Sequence, residues 1–211
     1  MKALPALCDS VVRGCAVTSI RITKNVREVA NAVRGGAAVA YPTETVYGIG
    51  ALALQESTVR KVIALKQMAA KPLSLAVSSF DMIEAVAHVG DASLLHRLLP
   101  GPITVLLLKR RVVPDLLTAG TNLVGIRFPS HTIARALIDA VGAPITATSA
   151  NVTGAQPATL AEDVDIGVDC VLDGGKVTLG PSTVVDLVNY VVVRRGAGYD
   201  AVCERTGIPH L

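Results

Sequence analysis

At 211 residues the chain is long enough for one domain with a sizeable core, and 51% hydrophobic against 18% charged residues excludes a disordered protein. The net charge of +3 is too small to argue for nucleic-acid binding by itself, so any anion site has to be a local cluster. With no Trp, two Phe and four Tyr, the core must be built from Val, Ile, Leu and Ala, which suits strands covered by helices.

Residues 1–22 read as an N-terminal extension ahead of a domain over 23–211. Its apolar stretch is interrupted by Pro5 and Asp9 and is too short for a signal. No run approaches the roughly 20 apolar residues of a membrane span. Cys8, Cys15, Cys170 and Cys203 show no C-x-x-C pairing, and no His stands at zinc-like spacing. That pattern predicts reduced thiols, a cytoplasmic protein and no structural metal.

Val26, Val29, Ala30 and Val33 predict a helix over 25–34, stopped by Gly35-Gly36. Ala37–Tyr41 reads as a buried strand. The apolar run then breaks into Pro42-Thr43-Glu44-Thr45 and resumes at Val46-Tyr47-Gly48. Ser57 is expected to cap a helix running to Lys66. Leu73–Val77 reads as a strand, Asp81–Ala87 and Ala92–Leu99 as short helices, and Pro100-Gly101-Pro102 as a rigid turn. Ile103–Leu108 is a strand of almost pure apolar residues. Val124–Phe128 is another, followed by a helix over His131–Val141 and a strand over Ile145–Thr148 that leads into Ser149-Ala150-Asn151. Cys170–Leu172 is a short strand before a hairpin-type turn at Asp173-Gly174-Gly175. Ser182–Leu187 and Tyr190–Arg194 read as paired strands, and Tyr199–Arg205 as a last helix. The alternation predicts one α/β domain around a twisted sheet.

Apolar strands repeatedly run into small hydroxyl, amide or cationic residues: Thr43, Arg127, Ser149, Asn151, Ser182 and Arg194. Ligands of open α/β sheets sit where such ends converge. Guanidinium suits carboxylate or phosphate, and Lys66 at a helix end adds a point charge. Together they describe an anion site without an obvious nucleophile. Each piece has a plainer reading. Thr43 and Thr45 are good edge-strand residues, Ser149 and Asn151 suit a cap and a turn, and lone arginines usually sit at a rim. Glu44 reads equally as a general base or as a strand-end cap.

The segments YPTETVYGIGALAL, LPGPITVLLLK, VGIRFPSHTIARALI, PITATSANVTGAQPAT, VLDGG and PSTVVDL…VVVRRGA occur in that order. Together they resemble the YrdC family, the threonylcarbamoyl-AMP synthases, from about residue 23 to 198. The resemblance implies a stand-alone YrdC-like α/β domain, a mixed sheet flanked by helices with a concave ligand-binding face. It implies nucleotidyl transfer: L-threonine, bicarbonate or carbon dioxide, and ATP yield threonylcarbamoyl-AMP and pyrophosphate, with Mg²⁺ accompanying ATP. A partner complex then moves the threonylcarbamoyl group onto tRNA. By the same resemblance Thr43, Arg127 and Ser182 hold threonine. Lys66, Ser149 and Asn151 are catalytic and line the nucleotide phosphate site, with Arg194 on the nucleotide side.

One position departs from the family pattern. In LKQMAAKPLSLAV, Met68 stands where arginine is expected, which removes a charge and five donors. Lys71, on the same loop, is the candidate compensating cation. The rival is a diverged YrdC-like protein that binds nucleotide or RNA with little or no synthase activity. Some YrdC-like domains carry a concave basic surface attributed to RNA binding. For tRNA or double-stranded RNA, Lys109-Arg110-Arg111 and Arg194-Arg195 are the patches to consider. A further rival is the carbamoyl-adenylate chemistry of YrdC-like domains in hydrogenase-maturation proteins.

Overall fold

The structure, a computed structural model, describes residues 20–67 and 71–208. Met68 and most of the predicted extension lie outside them. The chain opens with β1 (Arg21–Thr23) and α1 (Val26–Arg34), whose amphipathic spacing buries Val29, Ala30 and Val33. Asn25 caps that helix by accepting the Glu28 amide at 3.2 Å. β2 (Val39–Tyr41) and β3 (Gly48–Gly50) flank the polar break at 42–47. α2 (Glu56–Leu65) follows, then β4 (Ser74–Ala76), α3 (Phe80–Val86), β5 (Ala87–His88) and α4 (Ala92–Leu98). The second half holds β6 (Ile103–Lys109), β7 (Leu123–Arg127), α5 (Thr132–Val141), β8 (Ile145–Ser149), β9 (Cys170–Leu172), β10 (Thr183–Asp186), β11 (Val191–Arg194) and α6 (Tyr199–Thr206).

Among the described residues, eleven strands form one mixed sheet in the order β1-β9-β2-β3-β8-β4-β7-β6-β10-β11, with β5 on β6. This is the single mixed α/β domain, flanked by helices, that the sequence predicts. Its strands alternate sides with the period of two that a pleated backbone imposes. Leu75, Val105, Leu107, Val124 and Ile126 point into the larger core, which includes Val59 and Val62 of α2 and Ile83 of α3. On the opposite face α1 and α5 pack over Val39, Tyr41, Ala76, Ile145 and Leu172. These two helices roof only part of that face. The uncovered part carries Ser74, Thr104, Leu106, Gly125, Arg127, Ala147, Ser149 and Val184.

Two local expectations are corrected. Ser57 does not cap α2; the helix starts at Glu56, and Gln55 is the N-cap with no side-chain cap bond. Thr58 ties the entry instead, donating to the carbonyls of Leu52 at 2.5 Å and Gln55 at 2.8 Å. Asp173-Gly174-Gly175 is not a hairpin turn, because β9 runs parallel to both β1 and β2. The turn docks on Tyr47, whose hydroxyl accepts the Gly174 amide at 3.1 Å and donates to the Gly175 carbonyl at 2.9 Å. Glycine is required at 174, since a Cβ there would overlap the Pro42 ring. β10 and β11 are an antiparallel pair as expected. Asp186 Oδ1 closes their turn by accepting the amides of Val188 at 2.8 Å and Asn189 at 2.9 Å.

Candidate functional site

The uncovered half of the sheet face is the floor of a cavity of about 510 Å³. Strand register lays its residues in rows. Arg127 of β7 pairs with Thr104 of β6, and Thr104 pairs with Val184 of β10. The next row sets Ser74 of β4 beside Gly125 of β7 on one side and Ala147 of β8 on the other. A Cβ at Gly125 would collide with Ser74 Oγ, so the missing side chain makes room for the serine on the floor. Four of these strands thus contribute small or polar residues where a core strand would carry bulk. Leu106, Leu123, Val184 and Val193 give another part of the wall an apolar lining.

The broken strand at 42–47 forms one edge. Thr43 Oγ1 donates to the Val46 carbonyl at 2.7 Å and accepts the amides of Thr45 at 3.1 Å and Val46 at 3.3 Å. Its hydroxyl lies 2.8 Å from that of Thr45. The polar interruption is therefore a turn stitched by its own threonine, with Thr43 and Thr45 on the cavity wall. The Thr43 hydroxyl is already engaged in that turn.

Arg127 is buried against this edge. Its Nη2 bonds Glu44 Oε1 at 2.7 Å, and its Nη1 donates to the carbonyls of Gly101 and of Ile103, the latter at 3.0 Å. The two charged side chains are 7% and 12% exposed, so the pair is shielded from water. Removing one partner of such a pair costs roughly 3–5 kcal/mol. Glu44 Oε2 is buried and has no partner among the described residues. The pair acts on its neighbours. Burial raises the Tyr41 pKa, an effect opposed by Arg127 and reinforced by Glu44. Burial lowers that of His131, against the attraction of Glu44. His131 serves as the N-cap of α5, with Nδ1 accepting the Ala134 amide at 3.4 Å.

On the far side, Arg194 donates from Nε and Nη2 to the Ser182 carbonyl, at 3.2 and 2.9 Å, and from Nη2 to Ser182 Oγ at 3.2 Å. Burial and repulsion from Arg127 both lower its pKa. The two guanidinium groups thus sense one another across a shared cavity, an arrangement that an anion between them would relieve.

Five of the sequence-predicted residues, Thr43, Arg127, Ser149, Ser182 and Arg194, line this one cavity. Lys66, Asn151 and Lys71 are not wall residues. Lys66 lies behind Ser149, only 5% exposed, with Nζ donating to the carbonyls of Ser149 at 2.7 Å and Asn151 at 2.8 Å. Burial lowers its pKa to about 8. Asn151 donates to the carbonyls of Val152 and Ala155, both at 2.8 Å, while its Oδ1 is buried without a partner among the described residues. Together they brace the segment after β8. Lys71 is exposed, next to the wall residue Pro72.

Sequence reasoning missed Ser74, Thr104, Gly125 and Ala147. Each is a single small or polar residue in a short strand, Thr104 in ITVLLLK and Gly125 in LVGIR among them, and one such residue carries no periodic signal of its own. The basic triplet is largely occupied by the fold. Lys109 pairs with Asp115, and Arg110 Nε donates to the carbonyls of Glu84 at 2.6 Å and Ala87 at 3.2 Å. Arg195 stacks over the Tyr199 ring at 4.7 Å. Among the described residues no three His, Cys, Asp or Glu side chains group to hold a metal ion, and no helix is long and apolar enough to cross a membrane.

A family model named for Sua5, YciO and YrdC and described as "Telomere recombination" matches residues 31–196. A threonylcarbamoyl-AMP synthase of Pyrococcus abyssi is 40% identical over 182 residues, covering 81% of this chain and 54% of its own length. A threonylcarbamoyl-AMP synthase of Haemophilus influenzae is 34% identical over 185 residues, covering 82% of this chain and 100% of its own length. The chain thus spans about half the length of the Pyrococcus relative and the whole of the Haemophilus one. The crystal structure of P. abyssi Sua5 complexed with L-threonine superposes with a TM-score of 0.84 at 36% identity, over 90% of this chain and 62% of that one.

Proposed function

The chain belongs to the Sua5/YciO/YrdC family, and from that premise we propose that it is a threonylcarbamoyl-AMP synthase. In this scheme L-threonine, bicarbonate or carbon dioxide, and ATP give threonylcarbamoyl-AMP and pyrophosphate. A separate tRNA-modifying complex consumes the adenylate in the cytoplasm. The observation that carries the proposal is the single cavity in which two guanidinium groups, several hydroxyls and an apolar wall converge. A relative with 36% identity has been crystallised with L-threonine, and that supports the amino acid as one occupant.

The chemistry asks for positioning more than for a covalent nucleophile. The threonine amine adds to carbon dioxide, forming a carbamate and losing a proton. A carbamate oxygen attacks the α-phosphorus, and the bond to the pyrophosphate oxygen breaks. Arg127 and Ser182 are assigned to the threonine carboxylate, with Thr43 forming the pocket edge. Ser149 and Arg194 are assigned to the nucleotide. Lys66 and Asn151 hold the Ser149 segment, and the Lys66 charge lies beneath the phosphates. A divalent cation, Mg²⁺ in this scheme, enters as part of MgATP. Among the described residues no acidic side chain lines the cavity wall, so the triphosphate itself is the natural ligand for it.

Lys71, three residues after Met68 in the sequence, is exposed and adjoins the wall at Pro72. It is assigned to supply the cation that Met68 lacks. Pyrophosphate release from threonine, bicarbonate and MgATP tests both points. Wild type is expected to turn over only when all three are present, and Lys71→Ala to lose about tenfold or more. A silent Lys71→Ala alongside a large gain in Met68→Arg would remove the compensation. No threonine-dependent release in wild type would remove the synthase, and salt-dependent tRNA binding in its place would favour an RNA-binding role.

A further inference from the structure

Thr104 sits on the cavity floor and belongs to none of the groups assigned above. It is 4% exposed and lines the cavity. Its register partners are Arg127 on one side and Val184 on the other. Its side chain therefore stands in the same row as one guanidinium group and next to the hairpin that carries the other. Thr104 Oγ1 shares a hydrogen bond of 2.8 Å with Ser182 Oγ, and Ser182 Oγ also accepts from Arg194 Nη2.

Counting protons gives this trio a direction. Each hydroxyl owns one proton. The shared bond uses one of the two, whichever oxygen donates it, and Arg194 brings its own. One hydroxyl proton of the Thr104–Ser182 pair is left over. Among the described residues no protein acceptor takes it. Both residues line the cavity, so the free donor faces the space where a ligand would lie. An unspent donor beside two guanidinium groups, shielded from bulk water, is a receptor for an oxyanion.

We propose that Thr104 is a further substrate-binding residue, completing with Ser182 and Arg194 an oxyanion cradle in the cavity floor. The proposal rests on the synthase assignment and extends it by one residue. The oxyanion is either the amino-acid carboxylate or a nucleotide phosphate, and the two are separable by experiment. Isothermal titration of wild type, Thr104→Val and Thr104→Ser would use L-threonine, L-threoninamide, MgATP and adenosine as ligands. Valine keeps the shape and the β-branch that suit a strand while deleting the hydroxyl, and serine keeps the hydroxyl.

With a carboxylate in the cradle, Thr104→Val weakens L-threonine by about five- to tenfold and leaves L-threoninamide unchanged. With a phosphate there, MgATP weakens by the same factor and adenosine does not. Thr104→Ser restores wild-type affinity in either case. A Thr104→Val protein that keeps the wild-type ratio in both comparisons overturns the cradle. If the valine variant melts early in a thermal scan, Thr104→Ala deletes the same hydroxyl and decides between the same outcomes. Wild type that binds neither L-threonine nor MgATP removes the synthase assignment and the cradle together, a result distinct from wild-type binding that Thr104→Val leaves intact.

Discussion

Lys66 is almost fully buried, and burial alone holds its pKa down to about 8. Its two bonds to carbonyls favour the ammonium form, yet desolvation outweighs them. The sign of the consequence follows from linkage. Between about pH 8 and the 10.5 of a free lysine, the unfolded chain holds a proton that the folded protein has released. Lys66 therefore adds stability as pH rises through that window. Lysine to methionine at this position should flatten the rise, read as the difference in urea midpoints between wild type and Lys66→Met at pH 7.5 and pH 10. Comparing the two proteins cancels the titration of Tyr41, Tyr47 and Cys170, whose raised pKa values act in the opposite direction. Identical slopes would mean that the amine titrates as it does in water. At the same scale, Thr43 shows what sequence can and cannot say. Its place at the edge of a cavity was legible from the break in an apolar run. The engagement of its hydroxyl with the Val46 carbonyl was not, because that depends on how four residues turn.

Between elements, the packing of the turn after β9 against the loop after β2 is the junction most sensitive to volume. A methyl group at residue 174 would overlap Pro42, and the same turn is held by both bonds of the Tyr47 hydroxyl. Gly174→Ala is expected to destabilise the protein by about 1–3 kcal/mol, measured by urea unfolding. It should also weaken L-threonine binding, because Pro42 leads directly into Thr43. Unchanged stability would mean that the turn shifts freely. The helices and most strands were legible in the sequence because their apolar spacing is local. The hairpin expected at Asp173-Gly174-Gly175 failed because its glycines answer to Pro42 and Tyr47, far away in the chain. Thr104 was overlooked for a related reason: in a strand of seven residues a single hydroxyl looks incidental until its neighbours across the sheet are known.

For the molecule as a whole, the strand order was beyond reach of the sequence. It is fixed by pairings such as β3 with β8, where Gly48 meets Ser149, and β6 with β10, where Ile103 meets Thr183, partners far apart in the chain. The α/β class was legible, and so were five of the residues that converge on one cavity, Thr43, Arg127, Ser149, Ser182 and Arg194. Which residues form the wall and which brace it was not. Ligand binding should report on the assembled sheet. At a hundredfold excess over Kd, L-threonine stabilises by about 2.7 kcal/mol, which raises Tm by several degrees in a chain of this size. Calorimetric scanning should show that shift for L-threonine and none for an amino acid that the pocket rejects. Equal shifts for both would point to binding outside the cavity. β6 ties the two properties together. Val105 and Leu107 face the larger core, while Thr104 and Leu106 face the cavity. The segment Ile103–Lys109 is thus a text in which alternate letters spell two different instructions. Inserting one letter anywhere before Thr104 in that strand would exchange them, leaving a hydroxyl in the oil and a valine facing the cavity.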